Sequence, residues 1–224
     1  MRDLPKNLET LVLSHCSTLT DQSLKYIQER LPNLKVLDLT SCSRLADEAL
    51  QYLPRKLETL VLTNCINLTE RCFQYLQKTN LKALSFVNLK LKGSLDKLPS
   101  SLTSLDLSSC TEFKDESIQA MTLSGLRHLD LSYCSGLTGE CLSSLPSSLT
   151  SLSLFGWTEL SDASLNNLPS GLETLDLSHC LNITDAGFRN LNIGEPLSLL
   201  ILRHCEGVTN KKKKQLASSI KVLF

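Results

Sequence analysis

The chain has 224 residues, with 23 basic and 23 acidic side chains and a formal net charge of zero. That balance excludes a general electrostatic attraction to nucleic acid or to a membrane surface and leaves only local patches. No apolar run approaches the roughly 20 residues that cross a bilayer, and Met1 to Asn7 hold no apolar segment of the kind a signal peptide needs.

The chain is a tandem array. Its cleanest unit runs Leu172-x-x-Leu175-x-Leu177-x-x-Cys180-x-x-Ile183-Thr184-Asp185-x-x-Phe188-x-x-Leu191. The first half alternates with period two, as a strand does, and the second places apolar residues three apart, as a short helix does. Unit starts fall at Leu8, Leu34, Leu57, Leu81, Leu102, Leu126, Leu149, Leu172 and Leu197. Nine units, at a mean step of about 24 residues, exceed the roughly three that such arrays need for stability. One domain over residues 1–224 follows, because each repeat touches only its neighbours.

In chain order, each repeat opens with a strand. Leu11 and Leu13 point inward and Val12 outward, and stacking such strands gives one parallel concave sheet. An apolar residue closes the turn: Leu19, Leu45, Leu68, Phe113, Leu137, Leu160, Ile183, Val208. A Thr/Ser-Asp pair such as Thr20-Asp21, Ser161-Asp162 or Thr184-Asp185 usually follows. Such a pair suits a helix start, by capping N–H groups and by charge. Short convex helices then carry Leu24/Ile27, Leu50/Leu53, Leu142/Leu145 and Leu165/Leu168, with a small residue before each. Leu-Pro pairs (Leu53-Pro54, Leu98-Pro99, Leu145-Pro146, Leu168-Pro169) reset the backbone to extended.

Repeat four is irregular. It lacks the cysteine, spans 21 residues and has Gly93-Ser94 where a helix should begin, so a degenerate helix is expected. Repeat seven places Trp157 at the cysteine position. Before Leu8 there is no polar cap, which implies either a fragment of a longer chain or a poorly protected first repeat. Residues 208–224 read as an amphipathic capping helix, with Leu216, Ile220 and Leu223 facing the core and Lys211 to Lys214 facing water.

Seven of the nine cysteines (Cys16, Cys42, Cys65, Cys110, Cys134, Cys180, Cys205) occupy one repeat position, and Cys72 and Cys141 share another. Ligands one repeat apart stack in a row rather than converge, as zinc requires. The reading is a buried ladder whose S–H groups meet backbone carbonyls, in a reduced, cytoplasmic protein with no metal and no cofactor. His15, His179 and His204 each precede a ladder cysteine. Adjacent residues of an extended turn diverge, so no Cys–His catalytic pair forms, and the chain is read as no enzyme.

The ladder cysteines and Thr-Asp starts, from Leu8 to Cys205, resemble the cysteine-containing class of leucine-rich repeats. That resemblance implies an α/β fold, a right-handed solenoid or horseshoe. The class occurs in F-box substrate receptors of ubiquitin ligases, where the repeats hold a protein client and a separate F-box joins the ligase. No F-box fits before Leu8, so ligase components would be reached only through a missing N-terminal region. The Leu-Pro-x-x-Leu junctions, Leu145-Pro-Ser-Ser-Leu149 and Leu168-Pro-Ser-Gly-Leu172, look instead like repeats of secreted bacterial effectors, which would act in a host cytosol.

Surface candidates lie on the concave side. Asp38, Asp106, Asp130 and Asp176 share an outward mid-strand position. Asp106 and Asp130, on neighbouring strands about 4.8 Å apart, would welcome a cationic partner. Tyr133 and Phe155 are exposed aromatics in repeats six and seven, and a rigid exposed aromatic is a good anchor. Leu199, Ile201 and Arg203 form the outward column of repeat nine. The expected function is non-catalytic binding of a protein partner, using Asp106, Asp130, Tyr133, Phe155, Asp176, His179, Ile201 and Arg203. The alternatives are client recognition for an SCF-type ubiquitin ligase, or an effector or inhibitor acting on a host or companion protein.

Overall fold

A computed structural model describes residues 4–189, 191 and 196–224. Ten three-residue strands form one parallel sheet in sequence order: β1 (Thr10–Val12), β2 (Val36–Asp38), β3 (Thr59–Val61), β4 (Ala83–Ser85), β5 (Ser104–Asp106), β6 (His128–Asp130), β7 (Ser151–Ser153), β8 (Thr174–Asp176), β9 (Leu199–Ile201) and β10 (Lys221–Leu223). The register is uniform. The central leucine of each strand pairs with the central residue of the next, as in Leu129 with Leu152 and Leu175 with Leu200. These central residues are buried from Leu11 to Leu200. The residues on either side face outward, which places Leu199 and Ile201 on the concave surface as the alternation requires.

The convex side carries short helices of unequal length. The first repeat carries a ten-residue α-helix, Asp21–Arg30. Most others have room only for one or two tight turns, largely 3-10: Asp47–Tyr52, Glu70–Cys72 continuing into Phe73–Leu76, Asp115–Gln119, Glu140–Ser144, Asp162–Asn167 and Asp185–Phe188. Repeat four has no helix and fills the convex layer with buried Leu89, Leu91, Leu95 and Leu98. Leu53, Leu145 and Leu168, each before a proline, are extended at ψ 138, 144 and 144°, because the proline ring disfavours helix in the residue before it.

The C-terminal segment departs from the expected capping helix over 208–224. The helix is Asn210–Ala217, with Leu216 buried, and the chain then turns into β10. The four-residue spacing of Leu216 and Ile220 suits a helix, but Ile220 and Val222 pack on the core in strand alternation. Sheet pairing to β9 prevails over helix propensity here.

The Thr-Asp starts do more than cap. Thr69, Thr184 and Thr209 accept N–H bonds from the first turn of their own helices. The aspartate reaches forward to the next repeat. Asp47 accepts from the N–H and hydroxyl of Thr69, at 2.8 and 2.6 Å, and the pattern recurs at Asp115–Thr138, Asp162–Thr184 and Asp185–Thr209. In repeat eight the staple also accounts for the glycine before the helical Phe188. A Cβ at Gly187 would come within 2.5 Å of Asp162 Oδ1. Burial alone would raise the Asp115 carboxyl, but hydrogen bonds from Thr138 and Cys141 outweigh it and hold the group below the usual carboxylate range.

Candidate functional site

The concave surface is built by outward columns of the sheet and by the turn that follows each strand. That turn is left-handed rather than extended. His15, Ser41, Asn64, Asn88, Ser109, Tyr133, His179 and His204 all have φ between 56 and 62°, and Gly156 has 74°. A left-handed conformation is unfavourable by roughly 1–2 kcal/mol for a residue with a Cβ. Here it extends the ladder beyond the strand: the Tyr133 N–H donates to the Phe155 carbonyl at 2.8 Å, and the His179 N–H to the Arg203 carbonyl at 2.9 Å. It also turns the following cysteine inward.

The cysteines form the expected interior ladder. Cys65, Cys110, Cys134, Cys180 and Cys205 donate to the carbonyls of Leu39, Phe86, Leu107, Leu154 and Leu177 in the preceding repeat at 3.0–3.2 Å. Burial pushes the Cys65, Cys134 and Cys180 thiols up to about 12 and Cys110 to about 11. At neutral pH they are protonated donors, not thiolate nucleophiles. Among the described residues, no three His, Cys, Asp or Glu side chains are grouped to hold a metal ion.

The predicted surface residues fall into two adjoining sets. The first is a row along the strands. Asp106 pairs with Asp130, Asp130 with Ser153, Ser153 with Asp176, and Asp176 with Ile201. Asp38 lies in the same row at the far end, on β2. Each aspartate is tied to the residue two positions on. Asp106 Oδ1 accepts from the N–H and hydroxyl of Ser108, at 2.9 and 2.6 Å, and Asp130 accepts likewise from Ser132. Asp176 accepts the Ser178 N–H alone, at 2.8 Å.

Burial raises the Asp130 carboxyl; Ser132 hydrogen bonds oppose the shift, and the charges of Asp106 and Asp176 add to it. The sign follows from the raised value. Its favourable contribution is complete below the unfolded value of about 3.9 and is lost as pH rises through the folded one. Ionised Asp130 therefore weighs against stability at neutral pH.

The second set is an aromatic stack along one rim. Tyr133 meets Phe155 edge-on with centroids 4.9 Å apart, Phe155 lies 4.9 Å from His179, and His179 stacks on His204 at 4.4 Å. Repeat seven makes this possible. Gly156 leaves space where other repeats carry a side chain, since a Cβ there would stand 2.6 Å from Tyr133 Cδ1. Phe155, one position earlier, bridges the gap. Tyr133 is 52% exposed, so the stack offers aromatic surface to a ligand. Arg203 is exposed beside the stack, and Ile201 is half-buried next to Leu223 of β10, which lengthens the apolar end of the row.

His204 was not among the sequence-derived binding residues, although its place before a ladder cysteine matches His179. Trp157 is core: its indole N–H donates to the Leu131 carbonyl at 2.6 Å in place of a thiol.

A family model described as Leucine Rich repeat matches residues 30–53, 99–121 and 172–191. No curated protein matches the chain. Among solved structures, a chain of the yeast Rad7 and Elc1 complex is similar at 21% identity and TM-score 0.60, over 95% of this chain and 67% of that one. The leucine-rich repeat-containing protein LegL7 from Legionella pneumophila is similar at 17% identity and TM-score 0.56, over 92% of this chain and 68% of that one. Ten parallel strands in one open sheet, a thiol ladder behind them and the three matched segments give the chain a leucine-rich repeat solenoid fold.

Proposed function

We propose that this protein is a non-catalytic interaction module that holds a protein partner on the concave face of repeats five to nine. The observation that carries this reading is the aromatic stack Tyr133–Phe155–His179–His204, set beside the Asp106, Asp130 and Asp176 row on a hydrogen-bonded frame. A preformed aromatic surface needs little ordering on binding. The thiols of Cys65, Cys110, Cys134, Cys180 and Cys205 are buried, protonated and engaged as donors, so a reducing, cytoplasmic setting suits them and nucleophilic chemistry does not.

The test is affinity capture from a cell lysate with the wild type beside a Phe155→Ala/Arg203→Glu variant. A protein held by the wild type and lost from the variant supports the reading. An identical captured set overturns it. Two finer roles stand within it. A crystallised structural neighbour comes from a complex with Elc1, and client recognition for a ubiquitin ligase would show as ubiquitin transfer to the captured client once ligase components are added. Another neighbour comes from Legionella pneumophila, and an effector would capture its client from host lysate.

A further inference from the structure

The zero net charge conceals a strong segregation. Residues 102–188 carry two basic side chains, Lys114 and Arg127, against eleven acidic ones. On either side the balance reverses: residues 51–100 carry eight basic and three acidic, and residues 203–224 six basic and one acidic. The concave face over β5 to β8 therefore lies in a negative arc. Such a field attracts cations and repels phosphates.

Within that arc the sheet forms a notch. Asp130, Ser153 and Asp176 stand in register on β6, β7 and β8. Adjacent strands are about 4.8 Å apart, so the two aspartates flank a serine across roughly 10 Å. Phe155, two residues past Ser153, walls one side, its ring held by Tyr133 and His179. Asp176 accepts one bond fewer than its neighbours in the row. Asp106 and Asp130 each take both an N–H and a hydroxyl, but Asp176 takes only the Ser178 N–H. The Ser178 hydroxyl, 1% exposed, has no hydrogen-bond partner among the described residues.

We propose that this notch is an arginine site, in which a guanidinium of a cationic protein segment enters between Asp130 and Asp176, over Ser153 and against the Phe155 ring. The proposal rests on the concave-face reading and names the chemistry of the partner. Arginine fits better than lysine because its planar fork bonds two carboxylates and stacks on an aromatic face, whereas an ammonium is a compact point charge. The cation also relieves the mutual repulsion of Asp106, Asp130 and Asp176.

The test follows amide chemical shifts of the isotope-labelled full chain during titration with acetyl-Gly-Arg-Gly-amide and with its lysine and citrulline analogues. The arginine peptide should shift the amides of Ser153, Gly156, Asp176 and His179. Lysine should bind about fivefold more weakly or worse, and citrulline, which lacks the charge, should leave those amides in place. Asp130→Asn/Asp176→Asn keeps a carbonyl acceptor for each serine N–H and should abolish the shifts. Ser153→Leu fills the notch without changing charge and should do the same while overall amide dispersion is retained. Citrulline shifts as large as those of arginine, or no shift with arginine at about 10 mM, where a dissociation constant of roughly 1 mM would be nearly saturated, overturn the site. Client capture separates the two failures. A client lost from Phe155→Ala/Arg203→Glu but retained by Asp130→Asn/Asp176→Asn removes the arginine site alone. A client retained by both variants removes the concave reading with it.

Discussion

Repeats four and seven both lack the ladder cysteine, and they replace it differently. In repeat seven Trp157 fills the position, 2% exposed, and gives the Leu131 carbonyl the donor that a thiol supplies elsewhere. In repeat four Leu89 fills it, also 2% exposed, and offers the Leu62 carbonyl no donor. That carbonyl still accepts the Cys65 N–H at 3.2 Å, so only its second lone pair goes unmatched. The position thus demands apolar volume first and a donor second. The convex sides differ as well. Repeat seven has the Asp162–Asn167 helix and the Asp162–Thr184 staple to repeat eight. Repeat four has no helix, and among the described residues no carboxylate–threonine staple joins it to either neighbour. Its joints rest on the sheet, on buried apolar side chains, on the Asn88–Asn64 side-chain hydrogen bond and on the Cys110 thiol, which donates to the Phe86 carbonyl.

The largest effect should come from Trp157. Trp157→Ala leaves a cavity and an unmatched carbonyl lone pair, and should remove about 3–5 kcal/mol of unfolding free energy. Trp157→Phe keeps most of the volume and loses the donor, so it should cost about 1–3 kcal/mol. Denaturant unfolding followed by circular dichroism reads both. Equal losses would mean that the donor, not the volume, governs the position, and the contrast with Leu89 would collapse.

The staples come next. The lowered Asp115 carboxyl contributes stability that is present above the unfolded value of about 3.9 and is lost as pH falls through the folded one. Thermal midpoints should therefore drop on acidification, and Asp115→Asn should flatten that drop. An unchanged acid profile in the variant would show that the Asp115–Thr138 staple is not what distinguishes this joint from that of repeat four.

The same contrast shows what the sequence made legible. Leucine spacing gave the strand register and the inward ladder, because period and burial are one constraint in a stacked array, and the shortness of repeat four with its Gly93-Ser94 pair pointed to a degenerate helix where the fold has none. The staples were hidden because an aspartate at a helix start satisfies local capping rules. Its actual partners, such as Thr69 for Asp47, lie a whole repeat away. The left-handed turn was hidden because histidine, serine, asparagine and tyrosine share it, and serine and tyrosine carry no preference for that conformation. Tyr133 and Phe155 read as clustered aromatics of repeats six and seven, and His179 as a rim histidine apart from them. That they touch depends on Gly156, a missing side chain whose meaning appears only when the strands are stacked.

The smallest effect is the most discriminating. Leu89→Cys restores the consensus of the array and supplies a thiol for the Leu62 carbonyl. It also removes apolar volume from a site that is 2% exposed. A weak S–H donor adds well under the roughly 1 kcal/mol of an ordinary hydrogen bond, while each lost buried methylene removes about 0.8 kcal/mol. The variant should therefore be less stable than the wild type by about 1 kcal/mol, although it looks more regular. A shift of the denaturant midpoint in that direction, with an unchanged slope, supports volume as the first demand of the position. A rise in the midpoint would reverse the order, with the donor mattering more than the packing, and would recast Trp157 as chosen for its N–H rather than its size.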